Sequence, residues 1–391
     1  MARVNRREVL SDGEVQVVHC INRCVRRAFL CGKDPITGAD YEPRRDLIRQ
    51  RMEFLASVMG VEVLGYSIMS NHIHIILRNR PDVVSEWSDE EIVQRWWKLC
   101  PARKEKDGSA KDITDLELTA MQGDTKKIAE WRLRLSSVSW FMRFLSEKVA
   151  REANKQDECT GRFWEGRFKA QLLLDEAAIL TCMQYVDLNP VRAKLATTPE
   201  KSDFTSAQDR IVDLRAADSG STAGQASSGT QGLLGARARR PQVRGDGRGR
   251  EPVPFSQPVD DRGDRMVEHG QRAGWIQPMA LEPKRKRVRQ KKSKRRCSNK
   301  GCLPLELGEY VSLLDWTGRQ IRSGKRGSVP KELRPMFERL GISSELWVEC
   351  VVRFEKWFRS SVGRPAKMEA DAATRGNNRA ISVRRSREMF G

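Results

Sequence analysis

The sequence predicts an α+β domain built on an antiparallel sheet, on two observations. Short β-branched runs and helical apolar patterns follow one another in the order strand, helix, strand, strand, helix, strand, and the middle pair of strands carries a hairpin signature. Residues 15–24 (VQVVHCINRC) are rich in β-branched side chains and read as the first strand. In residues 44–59, Leu47, Ile48, Met52, Leu55 and Met59 recur three or four apart, which gives a helix one apolar face to lay on a sheet. Residues 61–69 and 72–78 read as two strands joined by the polar pair Ser70-Asn71. Residues 81–130 are polar and irregular and read as an insertion. Trp140, Phe141, Phe144, Leu145 and Lys148 mark a second helix up to about residue 154, and residues 168–174 read as a fourth strand. Asp175 is placed to cap a further helix carrying Ala178, Cys182 and Tyr185. This order is the ferredoxin-like arrangement, in which helices cover one face of an antiparallel sheet.

Beyond residue 215 the composition changes. Gly, Ser, Arg, Gln and Pro dominate up to residue 300, too few aliphatic side chains remain to offset ordering entropy, and the segment reads as disordered. It ends in a run from Lys284 to Arg296 in which ten of thirteen residues are Lys or Arg, a phosphate-binding or simply solvated basic arm. Periodic order returns with Leu307, Val311 and Leu314, and with Trp347, Val351, Phe354 and Phe358, with Gly341 as a helix stop between them. The expected layout is therefore a catalytic domain at 1–210, a disordered basic linker at 211–302, a small all-α domain at 303–362 and a disordered tail at 363–391.

Lysine and arginine outnumber acidic residues 72 to 52, a formal charge of +20, which points to a polyanionic partner. No apolar stretch approaches the ~20 residues needed to span a bilayer, and no hydrophobic signal-peptide core is present at the start. A cytoplasmic protein without membrane contact is expected. The 9 cysteines form no disulfide framework and no double pair at zinc-finger spacing.

Chemistry concentrates in two places. His72 and His74 lie two apart on the third strand, so they share a face and can share one ion, although two ordinary strand histidines would look the same. Tyr185 and Asn189 lie four apart on one helical face, and the amide oxygen of Asn189 can supply a third ligand. Read alone, Asn189 is equally a helix-ending residue before Pro190.

Three blocks, in order and spacing, resemble the REP-associated tyrosine transposases, relatives of the single-tyrosine insertion-sequence transposases within the HUH endonucleases. They are Met69-Ser70-Asn71-His72-Ile73-His74, Trp164-Glu165-Gly166-Arg167-Phe168-Lys169, and the stretch YVDLNPVRA from Tyr185 to Ala193. The resemblance covers about residues 10–210. It implies that His72 and His74 bind Mg²⁺ or Mn²⁺, that Asn189 stands at the third ligand position, and that Tyr185 is the nucleophile. The reaction implied is DNA transesterification through a 5′-phosphotyrosine link on single-stranded or hairpin DNA. Two imidazoles and an amide suit Mn²⁺ at least as well as Mg²⁺, and with no GxxxxGK loop no nucleotide cofactor is expected. Arg162, Trp164, Arg167 and Lys169 combine cations with an aromatic, the pairing that lets a groove follow phosphates while bases stack; the bland alternative makes Trp164 and Phe168 core. Arg192 is placed to meet a flanking phosphate.

The sequence departs from that pattern at Lys194, where glycine is common, in the long 81–130 connection, and beyond residue 215. Two rivals stay open: a catalytically silent DNA-binding regulator, and a relaxase or replication initiator, whose tyrosine context usually differs. Monomer and dimer remain equally open. Because every candidate catalytic residue precedes Pro190, removal of residues 215–391 is expected to leave the catalytic part working.

Overall fold

The computed structural model describes residues 10–11, 13–25, 30–34, 38–106, 108–223, 272–281, 294–323, 330–375 and 383–391. The chain begins with β1 (Val17–Arg23), α1 (Pro43–Val58), β2 (Val61–Ile68) and β3 (His72–Asn79). Next come α2 (Pro81–Ser85), α3 (Asp89–Leu99), α4 (Asp115–Gln122), α5 (Thr125–Leu135), the long α6 (Val138–Gln156) and β4 (Lys169–Leu173). After β4 follow α7 (Glu176–Asp187), the single turn α8 (Asn189–Arg192) and α9 (Ser206–Ala223). The C-terminal part supplies α10 (Leu307–Ser323), α11 (Arg334–Leu340), α12 (Trp347–Trp357), β5 (Ser361–Val362), α13 (Pro365–Thr374) and α14 (Val383–Phe390).

The architecture is mixed α/β. One sheet runs in the order β2-β3-β1-β4-β5; β1 is antiparallel to β3 and β4, β2 is antiparallel to β3, and the short β5 lies parallel to β4. Alternation along β1 sends Val18, Cys20 and Asn22 to one face and His19, Ile21 and Arg23 to the other. On the first face, Val18 and Cys20 join Ile73 and Ile75 of β3 against Ile48, Met52 and Leu55 of α1 and Phe141, Leu145 and Val149 of α6. Each such large side chain taken from water contributes about 1.5–3 kcal/mol. Asn22 Nδ2, on the same face, donates to Ser146 Oγ of α6 at 3.0 Å.

The second face is covered as well, which corrects the expectation of helices on one face only. Leu64, Ile76 and Leu173 project there and are buried by α7 together with α10 and α12. A helix is about 10 Å across and strands are about 4.8 Å apart, so α7 alone shields only about two strands of five. The C-terminal helices close the rest. Residues 303–362, read as a small helical unit, thus pack on the sheet and give it β5. Residues 177–187 of α7, held between sheet and helices, are buried without exception.

Residues 81–130 are largely helical. Ser88 caps α3 by accepting from Glu91 N–H at 3.1 Å, and Thr114 with Glu117 forms a capping box on α4. Ile92, Val93 and Trp96 of α3 meet Ile128, Trp131 and Leu135 of α5 in the first-face core. The apolar stripe is real but short, and the surrounding charge hides it.

The described parts of the segment read as linker pack into the fold. Trp275 is fully buried against Tyr66, ring centroids 5.3 Å apart. Of the basic run, residues 284–293 lie outside the described residues, whereas Arg295 pairs with Glu53 at 2.5 Å and Arg296 Nη1 donates to Gly274 O at 2.7 Å. The outer edge of β2 is occupied. Gln277 N–H donates to Val63 O (2.9 Å), Arg210 Nη2 to Leu64 O (2.6 Å), and Ile68 N–H to Phe204 O (3.1 Å), while Ser206 Oγ accepts from Tyr66 N–H (3.0 Å). The tail read as disordered holds α13 and α14, whose Met368, Met389 and Phe390 are buried; Phe390 stacks on Phe358 at 6.1 Å. Among the described residues no helix is long and apolar enough to cross a membrane.

Candidate active site

The second sheet face gathers three histidines. His74 on β3 is opposite Ile21, and His19 on β1 is opposite Ile76, so the two imidazoles are diagonal neighbours on one face. Their rings stack with centroids 5.2 Å apart, and His19 Nε2 lies 3.0 Å from His74 Nδ1. The other nitrogen of His19, Nδ1, lies 3.1 Å from Oε1 of Gln171, its register partner on β4. His72 begins β3 with its ring 4.7 Å from that of His74 and its Nδ1 2.5 Å from Asn71 Oδ1.

Electrostatics hold all three rings neutral. Burial depresses His19 and, most strongly, His74; His72 is lowered to about 4 by burial and then by Arg23, Lys169 and Arg192. Neutral imidazoles present lone pairs, the form a divalent ion takes. His74 Nε2 is buried without a hydrogen-bond partner, an orphaned polar atom that costs about 1–3 kcal/mol unless a ligand meets it. His72 and His74 therefore fit a metal as two nitrogen donors. Among the described residues no group of three His, Cys, Asp or Glu side chains is arranged to hold an ion, so a complete donor set needs an amide or water oxygen.

Tyr185 projects from α7 onto this face. Asp175 positions the helix start by accepting from Ala178 N–H at 2.9 Å. The phenol ring sits edge-on to His74 at 5.5 Å and to His19 at 5.9 Å, between the stacked ring of Phe354 from α12 (5.3 Å) and the guanidinium of Arg192 (4.5 Å). It is only 4% exposed. Burial, and then the charge of Glu355, raise its pKa well above the ordinary tyrosine value, while Arg192 pulls the other way. Asn189 is buried one turn on, its Nδ2 without a partner. Arg192 reaches across to donate to Val352 O at 2.8 Å. Lys194 just beyond has φ +58°, the left-handed region that favours glycine.

Where this face opens, Arg23, His72, Glu165, Arg167, Lys169 and Glu355 line a cavity of about 120 Å³. Arg162, Arg167 and Lys169 are exposed, as a phosphate-contacting role requires. Trp164 is not. It is buried against Phe163, ring centroids 5.0 Å apart, with its indole N–H donating to Ser146 O at 2.8 Å, so in this structure no base can stack on it. The expected cation-aromatic platform reduces to cations.

No family model and no curated protein matches the chain. Among solved structures, one of a REP-associated tyrosine transposase bound to a REP hairpin is similar at a TM-score of 0.32 and 9% identity, over 54% of this chain and 86% of that one. Likeness at that level leaves the reading of the site to its geometry.

Five residues of the site escaped the sequence reading. His19 and Gln171 show no motif; only the alternation of β1 and β4, once their pairing is known, puts them beside His74. Arg23 becomes a neighbour of His72 through the same register. Phe354 and Glu355 come from a helix some 170 residues beyond Tyr185, and no local signal connects them to it. Glu355 stands 3.9 Å from His74 Nδ1.

Proposed function

We propose that this chain is a metal-dependent single-strand DNA endonuclease and strand transferase of the HUH single-tyrosine type, acting through a 5′-phosphotyrosine link on hairpin-forming DNA. The observation that carries the reading is the meeting of the His72 and His74 pair with Tyr185, which is far from them in sequence, on one sheet face with the phenol 5.5 Å from the His74 ring. The strand order β2-β3-β1-β4 with antiparallel pairing supports a ferredoxin-like core beneath it. The left-handed Lys194, at a place where glycine is common in the family, supports the same alignment.

In this reading Arg23, Arg167 and Lys169 draw the DNA backbone to the cavity, and His72 and His74 face the scissile phosphate with neutral nitrogen donors. Mg²⁺ or Mn²⁺ bound there, with Asn189 as third ligand, would polarise the phosphate and offset charge building on its oxygens. Tyr185 Oη forms a bond to phosphorus as the P–O3′ bond breaks; the phenol loses its proton and the departing 3′-oxygen gains one. At an ordinary pKa near 10 only roughly one tyrosine in a thousand is ionised at pH 7, and burial lowers that fraction further, so deprotonation has to accompany substrate arrival. Arg192, over the ring, stabilises the phenolate that forms.

A second reading, a DNA-binding regulator without cleavage, draws on the burial of Tyr185 under Phe354. Labelled hairpin DNA incubated with the protein and Mn²⁺, followed by denaturing electrophoresis and peptide mass spectrometry, separates the two. A covalent adduct on Tyr185, absent from Tyr185→Phe, is expected. Binding without any adduct in Mn²⁺ or Mg²⁺ favours the regulator, and an adduct formed at wild-type rate by Tyr185→Phe removes Tyr185 as nucleophile.

A further inference from the structure

The pair His19 and Gln171 lies outside the residues that the proposed chemistry uses, yet it is bonded to the most deeply buried of them. We infer that Gln171 and His19 form a relay that fixes His74 as its Nδ1–H tautomer, so that the Nε2 lone pair is the one offered to the site. The inference rests on the preceding reading for what that lone pair binds.

The argument follows donors and acceptors along the relay. Gln171 Oε1 can only accept, so the ring atom 3.1 Å away, His19 Nδ1, carries a proton. In a neutral imidazole the other nitrogen then bears the lone pair, and His19 Nε2 is an acceptor. His74 Nδ1, 3.0 Å from it, must therefore donate. With Nδ1 protonated and the ring neutral, His74 Nε2 is left with a lone pair and, as noted, no partner. Both rings are buried, 0% and 1% exposed, so bulk water does not compete for the nitrogens of the relay. Glu355, 3.9 Å from His74 Nδ1, adds a negative charge on the protonated side.

His72 obeys the same logic through a different acceptor, since Asn71 Oδ1 lies against its Nδ1. Both rings thereby present Nε2, and a β-sheet, which repeats side chains every second residue, aligns the two. His19 and Gln171 are positioning residues: both are buried, and they act through the orientation and proton of His74. Such outer partners typically change metal affinity 10–100-fold when removed.

Imidazole nitrogen NMR on ¹⁵N-histidine-labelled full-length protein tests this directly, since the chain has 4 histidines. In metal-free wild type, His74 is expected to show a protonated Nδ1 and a pyridine-type Nε2; a protonated Nε2 overturns the relay without any variant being made. Gln171→Leu should mix the two tautomers and weaken Mn²⁺ binding 10–100-fold by calorimetry, and Gln171→Glu, which keeps an acceptor oxygen, should restore both. A Gln171→Leu protein with unchanged tautomer and unchanged Mn²⁺ affinity overturns the inference too. The Nδ1–H tautomer in a wild-type protein that takes up no Mn²⁺ would keep the relay and sink the metal reading instead.

Discussion

Deleting residues 303–391 is expected to unfold the part that carries His72, His74 and Tyr185, not to trim it. The sequence places every candidate catalytic residue before Pro190, which suggests a dispensable C-terminal region; the contacts say otherwise. Phe354 covers Tyr185, Tyr310 OH donates to the buried carboxylate of Asp187 at 2.5 Å, and the second face at Leu173 and Leu188 packs in the same core as α10 and α12. Losing burial of Leu173, Tyr185 and Leu188 alone, at about 1.5–3 kcal/mol each, costs roughly 5–9 kcal/mol. Losing the hydrogen bond to buried Asp187 adds about 1–3 kcal/mol. The sum matches the whole stability of an ordinary domain, about 5–15 kcal/mol. Size-exclusion chromatography and thermal unfolding of the truncated protein should show aggregation or a lost cooperative transition. A soluble monomer melting within a few degrees of the intact chain would refute the reasoning.

The remaining expectations concern charge, core and backbone. Because folding lowers the His72 pKa from 6.5 to about 4, its contribution to stability is present above pH 6.5 and is lost as pH falls toward 4, by roughly 3 kcal/mol at about 1.36 per unit. Melting curves in EDTA should fall more steeply between pH 6.5 and 4.5 for wild type than for His72→Gln, and superimposable pH profiles would contradict the placement of the ring. Trp164→Ala should cost about 3–5 kcal/mol as a core truncation, whereas Arg167→Ala and Lys169→Ala should leave melting unchanged and each lower the salt slope of single-strand binding by about 0.7; a Trp164→Ala protein of wild-type stability with impaired DNA binding would restore the stacking role. Lys194→Gly relieves about 1–2 kcal/mol of left-handed strain against about 0.5–1 kcal/mol of unfolded-chain entropy, so its melting temperature should hold or rise, while Lys194→Val should lower it.

Much of the front half was legible because its patterns are local. The periodicities of residues 15–78 gave three strands and a helix close to their observed bounds, and the two-residue spacing of His72 and His74 put both rings on one face. What stayed hidden was non-local or masked by charge. His19 reads as a strand residue until β1 is registered against β3 and β4. Trp164 sits between Arg162 and Arg167 and so read as a surface aromatic; its neighbour in the core, Phe163, and its carbonyl partner on α6 appear only in three dimensions. Trp275 is hidden inside a composition that argues for disorder, since one buried aromatic does not alter an average over dozens of polar residues.

The occupied rim of β2 bears on how copies of this chain can meet. An exposed strand offers a row of backbone donors and acceptors on which another strand can grow, which is a common route both to sheet-extended dimers and to fibrous aggregates. Here Val63, Leu64, Tyr66 and Ile68 already have partners from within the chain, and at the opposite end β4 is lined by β5, a strand of only 2 residues. A second copy cannot pair with those residues of β2, or with Leu172 and Leu173 of β4, without first displacing those segments. Growth of another strand on those residues is thereby blocked, which removes one route by which a long basic chain could template its own polymerisation.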